Sequence, residues 1–285
     1  MLYILLSVCC SVTVSILLKL ARRYQINVAQ AITWNYSIAA LLTWIFLKPQ
    51  PDSITHPPLN LYLLLGVLLP LIFYVMAAAI KGAGIVRTDV AQRLSLLISL
   101  SAAFLIFGDS FSVIKGIGIL TGFAAIFCLI PWQTKHVVSQ NNKNTWLYLI
   151  GVFLGFGIID ILFKQMAQTK TAPYSASLFV VYVAAFLVSV LGTIYQVTIK
   201  KKRFLFRHIF FGWILGVFNF GNILFYLKAH QALAKDPSTV FTAMNIGVIT
   251  GGTLIGLLIF KEKLSTLHKV GVGLAVAAIL LIAYS

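Results

Sequence analysis

The chain has 285 residues, of which 60% are hydrophobic and only 10% are charged, and its mean hydropathy is +0.97. This composition excludes a soluble domain, because a soluble core helix is apolar for about 10–14 residues whereas a membrane crossing needs about 20. The net charge of +16 does not indicate nucleic acid binding, since the basic residues lie mainly in short links between apolar runs, where they set membrane orientation. We therefore expect a lipid bilayer as partner, and no nucleic acid.

The first half of the sequence predicts five apolar helices of roughly the length that a bilayer requires. They cover about Leu2–Ala21, Val28–Leu47, Leu61–Ile80, Gly84–Phe107 and Val113–Ile130. The first run has no basic residues before it and no small-residue cleavage site after it, so we expect a retained helix rather than a signal peptide. Pro70, in the middle of the third helix, predicts a kink.

The second half predicts five more helices after the polar link 132–144. They cover about Thr145–Ala167, Tyr174–Ile199, His208–Leu233, Pro237–Phe260 and Leu267–Tyr284. Asp236 suits the N-cap of the ninth helix, and Pro237 suits its first position. The expected fold is an all-α integral membrane protein with ten transmembrane helices, divided into residues 1–131 and 145–285.

One stretch of the sequence occurs twice. FGDSFSVIKGIGILTGFAAI begins at Phe107 and FKEKLSTLHKVGVGLAVAAI begins at Phe260, so that Asp109 falls on Glu262. Chance alignment of Gly- and Ala-rich helices is the alternative explanation, but the matched acid, serine and glycine favour a repeat. A repeat of five crossings enters the membrane from the opposite side the second time. The two five-helix repeats are therefore predicted to be inverted, with the site near the membrane midplane.

Shorter echoes support the same pairing of the halves. SILLK at Ser15 resembles DILFK at Asp160, and the dipeptide Phe-Tyr recurs at Tyr74 and Tyr226. The alignment that matches Phe107 with Phe260 also matches Gln92 in helix 4 with Asn245 in helix 9.

Two five-helix halves, each with an acid-bearing link (GDSFS, KEKLS) followed by a Gly/Ala-rich helix, resemble the EamA-type members of the drug/metabolite transporter superfamily. The resemblance covers essentially the whole chain, although Asp109 stands where the family usually has glutamate. Family members move amino acids, other metabolites and drugs, and some related proteins flip lipid-linked sugars. The resemblance implies a multi-pass protein of the cell membrane, which is the inner membrane in a Gram-negative bacterium.

From this resemblance we expect a secondary transporter that exports small metabolites such as amino acids or related compounds by alternating access, without a cofactor. A lipid-linked sugar flippase of the same architecture is the alternative, and a membrane-embedded enzyme is a second one. The expected partners are a small-molecule substrate and the bilayer, with the chain acting as a monomer or homodimer. The resemblance does not name the substrate.

Charged side chains inside predicted helices are the strongest indication of a site, since each costs about 2.5–3.5 kcal/mol at a helix centre. At about 1.5 Å per residue, Arg93 lies roughly 14 Å into helix 4 and Asp160 roughly 21 Å into helix 6. We expect them to form a charge pair, with Arg93 binding an anionic group of the substrate and Asp160 coupling transport to protons. An ion pair that only fixes packing is the alternative. Lys19, Lys81, Lys164 and Lys228 lie near helix ends and are expected to be snorkelling anchors, and His230 is expected at the interface.

Uncharged polar and aromatic residues at similar depths complete the predicted substrate-binding set. Interhelical hydrogen bonding or simple packing is the alternative role for each of them. With Arg93, the set contains Trp34, Asn35, Tyr74, Gln92, Tyr182, Asn219, Asn222, Tyr226 and Asn245.

The sequence also argues against other kinds of site. It contains no GxxxxGK[ST] phosphate-binding motif, so a self-powered pump is not expected. The three cysteines lie in apolar segments without metal-ligand spacing, and the six acids are scattered, so no metal site and no catalytic residues are predicted.

Basic residues are unequally divided between the two sets of links. The links after helices 1, 3, 5, 7 and 9 carry most of them, with the densest group at Lys200, Lys201, Lys202 and Arg203. By the positive-inside rule these links are expected in the cytoplasm and both termini outside.

Overall fold

The computed structural model describes residues 1–50, 58–83, 85–129, 145–169, 172–201, 203–258 and 266–284. Within these ranges the chain is helical and contains no β-strand. The whole predicted link 132–144 and Glu262 lie outside the described residues.

Each of the ten predicted helices has a counterpart in the structure, and the fourth is divided in two. The helices are α1 (Leu2–Arg23), α2 (Val28–Leu42, continued by a π-helical turn Thr43–Leu47), α3 (Leu59–Ala83), α4 (Ile85–Leu94), α5 (Leu96–Leu105), α6 (Val113–Leu129), α7 (Thr145–Gln168), α8 (Tyr174–Thr198), α9 (Phe206–Ala232), α10 (Pro237–Leu258) and α11 (Thr266–Ala283). Helix α3 continues through Pro70.

Length and apolarity mark the fold as that of a membrane protein. Among the described residues, parts of α3, α7, α8 and α9 are each long and apolar enough to cross a bilayer. Shorter apolar helices lie within α1, α4–α5, α6 and α11. Large apolar side chains such as Leu105, Leu120 and Phe206 are exposed on the outside of the bundle, as expected where the surface faces lipid rather than water.

Most of the strong helix packing joins the two halves of the chain. Helix α9 packs on α1 and α2, α3 packs on α7 and α8, α10 packs on α1 and α5, and α6 packs on α11. The main buried cluster accordingly contains residues of both halves, including Ile32 and Tyr36 of α2 and Val181 and Tyr182 of α8. The core therefore lies between the halves rather than inside each of them.

The link between α5 and α6 fixes one end of this arrangement. Asp109 accepts a hydrogen bond from the backbone N–H of Ser238 at 2.8 Å, so it caps the start of α10, where a buried acid also complements the helix dipole. Asp236, the predicted cap, instead pairs with Lys115 at 3.2 Å, and Lys115 also pairs with Asp109 at 2.9 Å. The cap thus comes from the other half of the chain.

Two glycines allow α9 to approach α2 closely. A Cβ atom at Gly216 would lie 2.5 Å from the carbonyl oxygen of Asn35 and would overlap the side chain of Ile38, and a Cβ atom at Gly212 would lie 2.5 Å from the carbonyl oxygen of Ala31. Backbone atoms cannot move aside as flexible side chains do. Close approach through small residues is how membrane helices gain packing energy in lipid.

We therefore expect Gly216→Ala to destabilise the protein by about 1–3 kcal/mol, the usual cost of overpacking a tight contact. Gly252→Ala on α10 is the matched control, because a Cβ atom there meets nothing within 4 Å and alanine favours helix by up to about 1 kcal/mol. Thermal unfolding in detergent would compare the two variants. Equal stability of both would show that the α2–α9 contact is looser than described.

Candidate functional site

A cavity of about 210 Å³ lies in the middle of the bundle. Helices of both halves contribute to its wall: α1, α2, α3 and α4 from the first, and α7, α9 and α10 from the second. Its polar lining residues are Ser11, Ser15, Tyr36, Gln92, Arg93, Ser95, Asp160, Asn219, Asn222, Tyr226 and Asn245.

The break between α4 and α5 lies at this cavity. Ser95 separates the two helices, and its hydroxyl donates a hydrogen bond to the carbonyl oxygen of Gln92 at 2.5 Å. Serine side chains that bond to nearby carbonyl groups compete with the helical pattern. Gln92, Arg93 and Ser95 consequently all line the cavity from this interruption.

Arg93 and Asp160 line the same cavity, although they come from different halves of the chain. The Asp160 carboxylate accepts hydrogen bonds from two hydroxyl groups, Ser99 Oγ at 2.9 Å and Tyr226 Oη at 3.0 Å. Hydrogen bonds to a carboxylate stabilise its charge, whereas withdrawal from water disfavours it. Burial and hydrogen bonding therefore act in opposite directions on the Asp160 charge.

Other predicted residues also meet at the cavity. Gln92 and Asn245, which the repeat aligns, both line it, as do Asn219, Asn222 and Tyr226. Asn222 Oδ1 accepts a hydrogen bond from Ser7 Oγ at 2.8 Å. Asn245 Nδ2 donates to the carbonyl oxygen of Phe241 at 3.0 Å.

Two lining residues retain unused hydrogen-bonding groups. The amide nitrogen of Asn219 and the hydroxyl group of Tyr36 are buried and have no hydrogen-bond partner among the described residues. An unsatisfied buried polar group costs about 1–3 kcal/mol. Both groups therefore lack the partner that a buried polar group normally has.

Four residues of the predicted set do not line the cavity. Trp34 makes edge-to-face contacts with Phe204 and Trp213, and Asn35 lies against Gly216 of α9. The Tyr74 hydroxyl lies against Gly192 of α8. Tyr182 is one layer behind Tyr36, with ring centroids 6.4 Å apart. Contact of these four with a substrate stays a prediction.

The structure adds residues that the sequence pattern does not predict. Ser11, Ser15 and Tyr36 line the cavity, and Ser99 binds Asp160. Of these residues, the sequence indicates only Ser15, because alignment of the SILLK and DILFK segments pairs Ser15 with Asp160. Within the described ranges, no three His, Cys, Asp or Glu side chains are grouped so that they could hold a metal ion.

Lys164 and His230 are not at the lipid interface, where we expected them. The Lys164 side chain is fully buried, and its Nζ donates to the carbonyl oxygen of Ala234 at 2.8 Å. His230 is also fully buried, with its ring 4.6 Å from that of Tyr226 and 4.9 Å from that of Phe241. Counting along the helix gave their depth but not the inward direction of the side chains.

Comparison with known proteins agrees with this architecture. The model of the EamA-like transporter family matches residues 1–130. An uncharacterized protein of Haemophilus influenzae is 42% identical over 288 residues, which cover 99% of this chain and 97% of the relative. One solved crystal structure superposes with a TM-score of 0.77, covering 99% of this chain and 96% of the other at 14% identity, which shows likeness of fold alone. The resemblance seen in the sequence is confirmed, and the chain belongs to the EamA-like transporter family, a family of membrane transport proteins.

Proposed function

We propose that the protein is a proton-coupled secondary transporter that exports small metabolites, such as amino acids or related compounds, across the cell membrane. The observation that carries this proposal is the central cavity, because Arg93 of one half and Asp160 of the other both line it. Ionisable groups this deep in a membrane protein are costly and generally mark a pathway for substrate or protons.

Alternating access between two inverted repeats, residues 1–131 and 145–285, is the proposed means of transport. The packing supports this division. If each helix is replaced by its counterpart in the other repeat, the α2–α9 contact becomes the α8–α3 contact, and the α1–α9 contact becomes the α7–α3 contact. All four of these helix pairs pack in the structure. The α6–α11 and α2–α8 contacts each stay the same contact under this replacement. A site between such repeats can open to either side when one repeat rocks against the other.

The proposed substrate carries charges of both signs. Arg93 presents a planar fork of donors that suits a carboxylate, and Asp160 can bind an ammonium group. Asn219, Asn222, Gln92, Asn245 and Tyr226 would contact the polar atoms between these ends. The cavity is smaller than the about 300–1,000 Å³ typical of sites for drug-sized ligands. A small zwitterion therefore suits it better than a lipid-linked sugar, which remains the alternative.

Proton coupling is proposed to use competition for Asp160. Burial favours the protonated form of a carboxyl group, whereas a bound cation favours the ionised form. The ammonium group of a substrate and a proton therefore compete for the Asp160 carboxylate, so that binding of one releases the other. Export of substrate and entry of protons are then linked without ATP.

The proposal is tested by identifying a substrate. Growth of an overexpressing strain is compared with that of a control strain on toxic amino acid analogues, nucleosides and dyes, and active compounds are then assayed as labelled forms in proteoliposomes. We expect resistance to one class of small zwitterionic compound and its uptake into the vesicles. Movement of a lipid-linked sugar instead, with no small metabolite transported, would replace this proposal with the flippase.

A further inference from the structure

A row of polar residues leads from the cavity along the contact between α7 and α9. On α7, Asp160, Lys164 and Gln168 follow each other at intervals of four residues, so they lie on one face of the helix. On α9, Tyr226 and His230 have the same spacing, and Ala234 follows the end of the helix. We call these six residues the α7–α9 seam.

Contacts across the seam link the two rows. Tyr226 donates a hydrogen bond to Asp160 at 3.0 Å at the cavity end. At the other end, Lys164 Nζ and Gln168 Nε2 both donate to the carbonyl oxygen of Ala234, at 2.8 and 3.4 Å. His230 lies between these ends, in ring contact with Tyr226.

Packing alone does not explain Lys164 and His230. Burying an ammonium group is costly, and Lys164 is completely withdrawn from the surface. Both ring nitrogens of His230 are buried without a hydrogen-bond partner among the described residues, although a neutral imidazole carries one donor and one acceptor. Methionine and phenylalanine would fill these positions without that cost.

The outer end of the seam reaches a depression at the surface of the bundle. The depression is lined by Phe107, Gly108, Ser110, Gln168, Ala234 and Lys235. Lys164 contacts two of these residues, since its Nζ binds the Ala234 carbonyl and lies 5.9 Å from the centre of the Phe107 ring. Lys164 thus lies next to residues that line the depression, and His230 is in ring contact with Tyr226, which binds Asp160.

We propose that Lys164 and His230 relay protons between water in this depression and Asp160. This inference rests on the proposed coupling role of Asp160, and it assigns the route by which the carboxylate exchanges its proton. The route is separate from the cavity, so substrate in the cavity does not block it.

Each step of the relay moves one proton between named atoms, and the transfers to and from His230 follow a rotation of the side chains, because neither ring nitrogen has a hydrogen-bond partner among the described residues. The Lys164 ammonium breaks an N–H bond and gives the proton to the His230 imidazole, and the amine is restored by hydronium in the depression, which becomes water. After rotation of its ring, the imidazolium gives its proton to the Tyr226 hydroxyl group as that group passes its own proton to Asp160. Histidine suits the middle position because its ring has two nitrogens, so that one can accept a proton while the other donates one.

The acidic and basic side chains around the relay balance each other in number. His230 contacts Tyr226 on its own helix and the apolar Phe241 on α10, and Lys164 on α7 is the charged group that acts on it. Lys164 is under the influence of Asp109 and Asp236 from the links before α6 and α10. Lys115 in turn pairs with both of these acids.

The test follows protonation of Asp160 directly and needs no substrate. The full-length protein in lipid vesicles is given a rapid acid jump, and infrared difference spectroscopy records the C=O band of the protonated carboxyl group. The band is assigned by its loss in Asp160→Asn. His230→Phe keeps the aromatic packing but cannot titrate, and Lys164→Arg keeps the charge but cannot release a proton. In both variants we expect the band to appear about a hundredfold more slowly, which is the lower end of the effect of a positioned proton carrier. Its final amplitude should be unchanged.

Lys228→Arg is the matched control, because Lys228 is on α9 but lies over the Tyr3 ring, at 5.8 Å, outside the seam. In the Lys228→Arg variant, Asp160 should be protonated at the wild-type rate. A wild-type rate in both seam variants would overturn the relay and leave the coupling proposal intact. A wild-type protein without an Asp160 band would overturn the coupling proposal and the relay with it. If His230→Phe does not purify as a folded protein, His230→Gln takes its place with the same expectation.

Discussion

The Asp160→Asn variant is expected to lose proton-driven accumulation of substrate while it still exchanges substrate across the membrane. Asparagine keeps the size of aspartate and can still accept a hydrogen bond from Ser99 or Tyr226, which bind the carboxylate at 2.9 and 3.0 Å. It cannot bind and release a proton. Accumulation in vesicles with an imposed proton gradient should fall by about a hundredfold or more, whereas counterflow without a gradient should continue.

Ser101→Ala is the control for this variant. Ser101 is on the same helix as Ser99, but its side chain is exposed and bonds only to the carbonyl of Leu97 among the described contacts. Its transport should match that of the wild type. Full proton-driven accumulation by Asp160→Asn would assign Asp160 to packing, and coupling would then have to involve another residue.

The Arg93→Gln variant should show the second large effect, a loss of substrate affinity. Removing one member of a buried charged contact costs about 2–5 kcal/mol, and 3 kcal/mol corresponds to roughly a hundredfold in the dissociation constant. Arg207→Gln is the matched control, because Arg207 is exposed at the start of α9. Concentration dependence of counterflow would measure both variants.

The pattern across substrates makes this result specific to the proposed contact. If Arg93 binds the carboxylate, an ester or amide analogue of the substrate should bind the wild type weakly and should lose little further affinity in Arg93→Gln. Equal losses for the acid and its neutral analogue would contradict the contact and favour a structural role for Arg93.

The positions of the helices could be predicted from hydropathy because lipid sets both their length and their composition. The break at Ser95 could not, since neither proline nor glycine marks it. It coincides instead with the bond from Ser95 to the Gln92 carbonyl. The cap of α10 was assigned to Asp236 from local sequence, but the structure uses Asp109, a contact between halves that no local pattern reveals.

The sequence predicts how deep the site residues lie in the membrane, but it only partly predicts which way their side chains point. Tyr74 and Tyr226 are matched by the recurring Phe-Tyr dipeptide, yet Tyr226 lines the cavity and Tyr74 lies against α8. Counting residues gives the level of a side chain in the membrane, whereas its direction depends on which neighbours pack on the helix. The spacing of Lys164 from Asp160 and of His230 from Tyr226 was visible in the sequence and, combined with helical period, indicates a shared face.

The central claim is that the cavity between the halves carries a small substrate, and counterflow in proteoliposomes tests it most directly. Vesicles loaded with the unlabelled compound from the growth screen are diluted into its labelled form, with wild type, Arg93→Gln and Arg207→Gln measured together. We predict transient accumulation of label by wild type and Arg207→Gln, and roughly a hundredfold higher substrate requirement in Arg93→Gln. Counterflow of equal concentration dependence in all three proteins would contradict a substrate site at this cavity.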